Sequence, residues 1–229
     1  VRKAIAYLMP RQTIASRVYH GLVKPLYTMV ASGLPGHVDA FKTTYGASPS
    51  QAKARAALKA ANIKTPVDIT LWYTPTHYGD ASADEYAEIQ RSLEAGGLFK
   101  VTLKSAEWAT YSKTLGTQYG AFQLGWFPDY VDAENYLLPF YPSCADCNFT
   151  GNNYKNARLD SLMAQEQATK SNSKRIKLVK QVEAIAAKDA PIIPYWQAPM
   201  IAVSRTNVKG VDTTLDPTFI MRFYLISKS

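Results

Sequence analysis

The residues that could do chemistry crowd into one stretch. Tyr119-Gly-Ala-Phe-Gln-Leu-Gly-Trp-Phe-Pro-Asp-Tyr-Val-Asp-Ala-Glu-Asn-Tyr-Leu137 carries an indole at Trp126, carboxylates at Asp129 and Asp132, and a phenol at Tyr130. Its first half is short, apolar and aromatic, which predicts a buried strand. Pro128 has no N–H to give a ladder, so the strand must end there. The carboxylate after it has two available roles. It can grip a cationic group through a charge-assisted hydrogen bond, or it can satisfy backbone amides in a turn. Bond-breaking chemistry finds less to build on. Asp129 and Asp132 stand three apart across a proline turn, a spacing that does not define a glycosidase pair. The sequence holds no Gly-x-Ser-x-Gly elbow, no His-Glu-x-x-His and no glycine-rich phosphate loop. Its histidines, His20, His37 and His77, are scattered and do not suggest a triad. The expectation is a binding protein and not an enzyme, with no cofactor and no metal.

The second chemical candidate is the pair Cys144 and Cys147, in Tyr141-Pro-Ser-Cys-Ala-Asp-Cys-Asn-Phe-Thr-Gly-Asn-Asn153. A redox pair sits at a helix start after a strand, whereas this loop is rich in Pro, Asn and Gly. A zinc site needs two more ligands. The hypothesis is a local disulfide formed in an oxidising compartment. So small a loop gains little from closure, roughly 1–2 kcal/mol. Two unpaired surface thiols remain the alternative.

Several elements must position these groups. Residues 2–8 and 11–20 read as short helices separated by Pro10, and 31–47 as a long loop. Ser48-Pro49-Ser50-Gln51 predicts a helix start with Ser48 as cap, running to about Asn62. Val67 to Tyr73 alternates as a strand. Residues 83–95 form a helix with Tyr86, Ile89 and Leu93 on one face, and Gly96-Gly97 stop it. Leu98 to Leu103 is a second strand, so strand, helix and strand imply a parallel crossover. A helix over 107–115 precedes the third strand, Tyr119 to Trp126, which its apolar character places near the sheet centre. Helices follow over 156–169 and 173–188, the second with Ile176, Val179, Val182 and Ile185 inward. Short strands are expected at 190–196 and 200–204, then a tail ending in Phe219-Ile-Met-Arg-Phe-Tyr-Leu-Ile226.

Composition narrows the class. The 229 residues include 47% hydrophobic and 12% aromatic side chains, enough for a sizeable core. Net charge is +8, but the basic residues are spread. The dense run from Lys170 to Lys180 interleaves with apolar residues at helical spacing, as a solvated helix face does. No nucleic-acid motif accompanies it. No apolar run reaches the ~18 residues of a membrane span, and no leader peptide is visible ahead of Val1.

Five motifs fall in an order that carries a resemblance. They are Val1-Arg-Lys-Ala-Ile-Ala-Tyr-Leu-Met-Pro-Arg11, Ser50-Gln-Ala-Lys-Ala-Arg-Ala-Ala-Leu-Lys-Ala60, Gly125-Trp-Phe-Pro-Asp-Tyr-Val-Asp132 with Asn135-Tyr-Leu137, Tyr154-Lys-Asn-Ala-Arg-Leu-Asp160, and Lys188-Asp-Ala-Pro-Ile-Ile-Pro194. Together they resemble extracellular solute-binding protein family 5, the dipeptide- and oligopeptide-binding proteins of ABC importers. The resemblance implies an α/β fold: one lobe of a periplasmic-binding-protein-like (type II, cluster C) architecture, with a mixed, mostly parallel sheet flanked by helices. It implies that residues 1–204 form the second ligand-binding lobe and 205–229 a segment crossing back to a first lobe missing here. It implies a fragment of an extracellular or periplasmic protein, anchored as a lipoprotein and monomeric at full length. Such a protein would carry a peptide or similar small solute to a membrane permease. Nickel complexes and oligosaccharides are also ligands in the family.

The resemblance makes Asp129 the holder of a ligand α-ammonium, with Trp126 walling the pocket and Gln123 and Trp108 at cleft-lining positions. Each has a plainer reading. Gln123 can sit on the outer face of its strand, Trp108 can pack in the core, and Tyr130, beside Asp129, can merely buttress the turn. His77 follows a strand end, where it can face the cleft, and its plainer reading is a lone surface histidine; Glu134 reads as helix first-turn charge. The Cys144–Cys147 insert is not a general family feature. The alternative class is an extracellular hydrolase or thiol-redox domain using that pair.

Overall fold

A computed structural model describes residues 1–144, 148–150 and 153–229. The strand–helix–strand unit is present. β2 (Val67–Tyr73) and β3 (Phe99–Ser105) pair in parallel, Val67 opposite Phe99 through Tyr73 opposite Ser105. α5 (Ser82–Glu94) connects them and buries Tyr86, Ile89 and Leu93, the face its spacing predicts. α1 (Arg2–Leu8) and α4 (Gln51–Ala60) close the same core through Ala4, Leu8, Ala54 and Leu58.

The expected mostly parallel sheet is not what forms. Among the described residues there are three two-stranded sheets. The stretch 119–126 is no regular strand and lies beside β2, not at the centre of a sheet. It meets β2 at the single parallel bridge Trp72–Phe122, through Trp72 N–H to Ala121 O and Gln123 N–H to Trp72 O, each 2.9 Å. Gly120 and Gly125 bracket that contact and Pro128 ends it, so few residues suit a ladder. Tyr111, fully buried in α6 (Trp108–Thr114), supplies the missing attachment. Its hydroxyl donates to the carbonyls of Trp72 (3.1 Å) and Gln123 (2.8 Å).

The expected strands at 190–196 and 200–204 are likewise corrected. β4 is Trp196–Gln197 alone, antiparallel to β1 (Lys24–Pro25). Pro191, Pro194 and Pro199 remove the donors a longer ladder would need. The start of α4 is two residues later than predicted. Ser50, not Ser48, accepts from Lys53 N–H (3.4 Å), and Gln51 reaches across to Ser92 O (3.0 Å) instead of completing a capping box.

Two helices build the other half. α7 (Ala157–Ala168) is capped by Asn156, which accepts from the amides of Arg158 and Leu159 (3.1 Å each). α8 (Asn172–Asp189) starts at the Ser171 cap. Its buried face is Leu178, Val179, Val182, Glu183, Ala186 and Ala187; Ile176 and Ile185 lie half-exposed beside it. This pair packs on Val30, Leu137, Phe140 and Tyr141. A third cluster joins Tyr27, Phe41 and Tyr45 to Ala187 and Ala190, with Phe41 and Tyr45 on α3 (Ala40–Tyr45). Arg11 begins α2 (Arg11–Thr13), which runs into π-helical turns at Ile14–Val18. Its guanidinium is buried, donates through Nε to Leu26 O and Pro194 O, and lies over the rings of Tyr27 and Phe41. Burial pushes its pKa down to about 10, so it stays charged at neutral pH.

The tail forms its own small unit. β5 (Val208–Lys209) and β6 (Ser227–Lys228) pair antiparallel. Gly210 has φ +82°, and a Cβ there would lie 2.2 Å from Leu225 O, so the turn requires glycine. No helix among the described residues is long and apolar enough to cross a membrane.

Candidate functional site

A groove of about 1640 Å³ has segments 116–128 and 191–200 as two of its walls, and Tyr78, Tyr86, Tyr136 and Phe140 also line it. Trp126 lines it. The indole packs edge-on against Phe140 (5.0 Å) and Phe149 (5.7 Å) and donates from Nε1 to Asn135 Oδ1 at 3.0 Å.

Asp129 stands outside the groove's lining, at its rim: Pro128 and Val131 line the groove, whereas Asp129 and Tyr130 between them do not, and both are exposed. Its backbone N–H donates to Asn135 Oδ1 (2.9 Å), and Asn135 Nδ2 donates to its Oδ2 (3.3 Å). Among the described residues no lysine, arginine or histidine forms an ion pair with it. The neighbouring acid differs. Asp132 receives both arms of Arg175, Nη1 to Oδ2 at 2.7 Å and Nη2 to Oδ1 at 2.6 Å. That fork holds its carboxyl below the usual range. Arg175 Nε lies 2.5 Å from Glu166 Oε1. The two acids of the motif therefore have different roles: one is paired within the protein, and the other is presented outward.

The remaining sequence candidates separate as well. Gln123 lines the groove, but its side chain is buried and already engaged. Nε2 donates to Glu85 Oε1 (3.1 Å) and Oε1 accepts from Thr74 N–H (3.4 Å). Tyr130 is 46% exposed and donates to Glu134 Oε2 at 3.1 Å, a buttress across the turn. Glu134 also accepts from Gln167 on α7 (2.9 Å). Trp108 is not among the groove-lining residues. It stacks on His77 with centroids 3.7 Å apart and planes 2° apart, and meets Tyr78 edge-on. That cluster reaches the groove through His77, which lines it while remaining exposed, and through Tyr78, whose hydroxyl donates to Gly125 O at 3.5 Å. A Cβ on Gly125 would come within 2.6 Å of the Tyr78 ring, so glycine lets the two pack. The pairing expected of Cys144 and Cys147 involves Cys147, which lies outside the described residues. Among the described residues no cluster of His, Cys, Asp or Glu is arranged to hold a metal ion.

Two residues of the site carry no signal in the sequence. Asn135 stood inside the motif with no chemistry of its own, and its spacing from Trp126 and Asp129 gave no sign that one amide serves both. Glu85 looked like any acid in a helix first turn. It is buried, and desolvation raises its pKa against the pull of its hydrogen-bond donors.

Comparison with known proteins converges on this frame. Residues 1–146 match the family of bacterial extracellular solute-binding proteins, family 5 Middle, and the chain belongs to that family. It is 28% identical over 233 residues to di/tripeptide-binding protein 1 of Pseudomonas aeruginosa strain UCBPP-PA14, covering 99% of this chain and 42% of the relative. It is 26% identical over 215 residues to oligopeptide-binding protein OppA of Bacillus subtilis strain 168, covering 92% and 39%. In fold it is similar to the Escherichia coli murein tripeptide binding protein MppA, with TM-score 0.82 at 19% identity, covering 99% of this chain and 44% of that one. The Helicobacter pylori periplasmic binding protein DppA, in complex with the peptide STSA, gives TM-score 0.80 at 21% identity, covering 99% and 43%. The chain thus spans about two fifths of the length of the curated relatives it matches.

Proposed function

We propose that this chain is part of the substrate-binding component of an ABC importer. It would hold a peptide or a similar small solute in the groove, between itself and a further lobe, and deliver it to a membrane permease. The observation that carries this reading is Asp129: an exposed carboxylate at the groove rim, fixed by Asn135 and left without an ion-pair partner among the described residues. A carboxylate so held suits a ligand ammonium, a charge-assisted bond worth about 1.5–3 kcal/mol. Trp126 walls the pocket, Gln123 belongs to the same wall, and Tyr130 and Trp108 support the rim from outside. Residues 1–204 are the ligand-binding lobe and 205–229 the segment that crosses to its partner lobe. The T-shaped contact of Phe127 with Phe219 (4.6 Å) supports that placement, since it brings the tail to the site's edge. Hinge closure on the solute would be a population shift driven by contacts to both lobes.

The full-length protein would work outside the cytoplasm, held at the membrane by a lipid anchor, with a Cys144–Cys147 disulfide stiffening the loop near Phe149. Thiol titration of the unreduced protein checks that bond; two reactive thiols would remove it. The binding reading is tested by nuclear magnetic resonance on the labelled chain with Met-Leu and with its N-acetylated form. The free-amine peptide should shift the amides of Trp126 and Asp129, weakly because half the contacts are missing. Acetylation or Asp129→Asn should weaken binding roughly 10-fold or more, the loss expected of one charge-assisted bond. Equal shifts from both peptides would end the assignment of Asp129.

A further inference from the structure

Glu85 sits fully buried in the first turn of α5, where the helix N-terminus favours negative charge. Among the described residues its carboxylate accepts four side-chain hydrogen bonds. Oε1 takes Gln123 Nε2 (3.1 Å) and the Tyr195 hydroxyl (2.7 Å). Oε2 takes the Tyr19 hydroxyl and Trp196 Nε1, each at 2.6 Å. Lysine and arginine form no ion pair with it among the described residues. The donors come from three separate segments. Gln123 belongs to one groove wall, Tyr195 and Trp196 to the other, and Tyr19 follows the π-helical turns. Glu85 itself does not line the groove.

We infer that Glu85 is the positioning residue of the groove, holding its two walls at a fixed separation and so setting which solutes fit between them. The inference rests on the solute-binding reading of that groove, but its geometric part stands apart from it. An indole N–H and an amide NH₂ can only donate, so a buried partner for both must accept from both. A carboxylate has lone pairs on two oxygens and meets all four donors at once. A glutamine of the same shape cannot. Its single oxygen faces either the Gln123 side or the Trp196 side, and its own NH₂ then confronts an obligatory donor on the other. Glu85→Gln therefore releases one wall without changing volume. The geometry also explains why Gln123 has one orientation: its oxygen is occupied by Thr74 N–H.

The test uses proton–nitrogen spectra of the whole chain. In Glu85→Gln, the Trp196 indole or the Gln123 side-chain amide should move upfield and exchange with solvent at least 10-fold faster. Backbone amides at 121–125 and 195–197 should shift, while those of α7 and α8 stay in place. A second variant guards against misfolding. Tyr19→Phe removes one donor from Oε2, and the Gln123 amide at Oε1 should respond, because Glu85 is shared. Unmoved Trp196 and Gln123 signals in Glu85→Gln, or a silent Gln123 in Tyr19→Phe, would overturn the inference. Titration with Met-Leu reads the functional half: binding in Glu85→Gln should be at least 10-fold weaker than in the native chain, and equal affinity would overturn it. If neither form bound the dipeptide while the side-chain signals moved as stated, the clamp would be upheld and the solute assignment would fall.

Discussion

At the scale of single residues, Asn135 and Glu183 make opposite demands on the same physics of buried polar groups. Asn135 satisfies three partners with one amide: the Trp126 indole, the Asp129 backbone and the Asp129 carboxylate. Removing it takes the acceptor from a half-buried indole N–H and from the backbone N–H of an exposed residue, so the cost is about 1–3 kcal/mol in all, below that of two fully buried groups. Asn135→Ala is therefore expected to lower the thermal midpoint by several degrees and move Trp126 emission to longer wavelength, both read by fluorescence on heating. An unchanged emission maximum would show that the indole is held by its ring contacts alone. Glu183 is 2% exposed and accepts from the Thr28 hydroxyl. Burial pushes its pKa up to about 8 from an ordinary 4.5. The folded form then binds the proton that the unfolded form releases, so Glu183 contributes its stability at low pH. That stability falls between about pH 4.5 and 8, by at most about 1.4 kcal/mol per pH unit. Denaturant midpoints measured across that window should decline in the native chain and run flatter in Glu183→Gln. The sequence brings Asp129 and Trp126 forward as candidates because residue types and a proline break announce themselves. Asn135 and Glu183 were hidden because their importance lies in which atoms surround them.

At the scale of elements, the legible parts were those whose period is set locally. β2 alternates, α5 places Tyr86, Ile89 and Leu93 on one face, and glycines follow it, so the expected limits of both elements are within one residue of those observed. The stretch 119–126 differs from the expected strand because an apolar run does not specify pairing; these residues are apolar because they line the groove, and Tyr111 anchors them to β2. The start of α4 was misjudged because Ser48 and Ser50 are equally good caps in sequence, and packing of Gln51 against Ser92 O selects the second. What fixes the loop carrying Asp129 to the helices could not be read at all, since Arg175 lies 43 residues from Asp132. Its guanidinium joins Asp132 to Glu166 and so ties the loop to α7 and α8. Arg175→Lys keeps the charge but loses the planar fork. It should destabilise by about 1–3 kcal/mol, below the 3–5 kcal/mol of a fully buried pair, since Arg175 and Asp132 are partly exposed. Urea unfolding of the two forms measures that difference, and amide shifts confined to 129–136, α7 and α8 would show that the loop itself had moved. Indistinguishable midpoints would mean the loop is held by Asn135 without the fork.

At the scale of the whole molecule, the apolar surface is unevenly covered. The clusters around α5 and α8 are closed, whereas Phe219, Ile220, Met221, Phe223, Tyr224 and Leu225 all lie exposed, Tyr224 by 82%. Val131, Phe127 and Phe149 continue that exposure to the groove rim. Soluble monomers rarely present so many large apolar groups together, and β5 with β6 is too short to shield them. The curated relatives are more than twice as long as this chain, so the proposed further lobe supplies enough protein to cover the patch. Taken by itself, the 229-residue chain should bury that surface against copies of itself. Its mass by light scattering after gel filtration is expected to rise with concentration, and Phe223→Ser with Tyr224→Ser should return it to the monomer without altering the groove signals of Trp126 and Trp196. A constant monomeric mass at every concentration would mean that the tail rearranges onto the lobe in solution, and the crossing role given to 205–229 would then need another contact than Phe127 with Phe219.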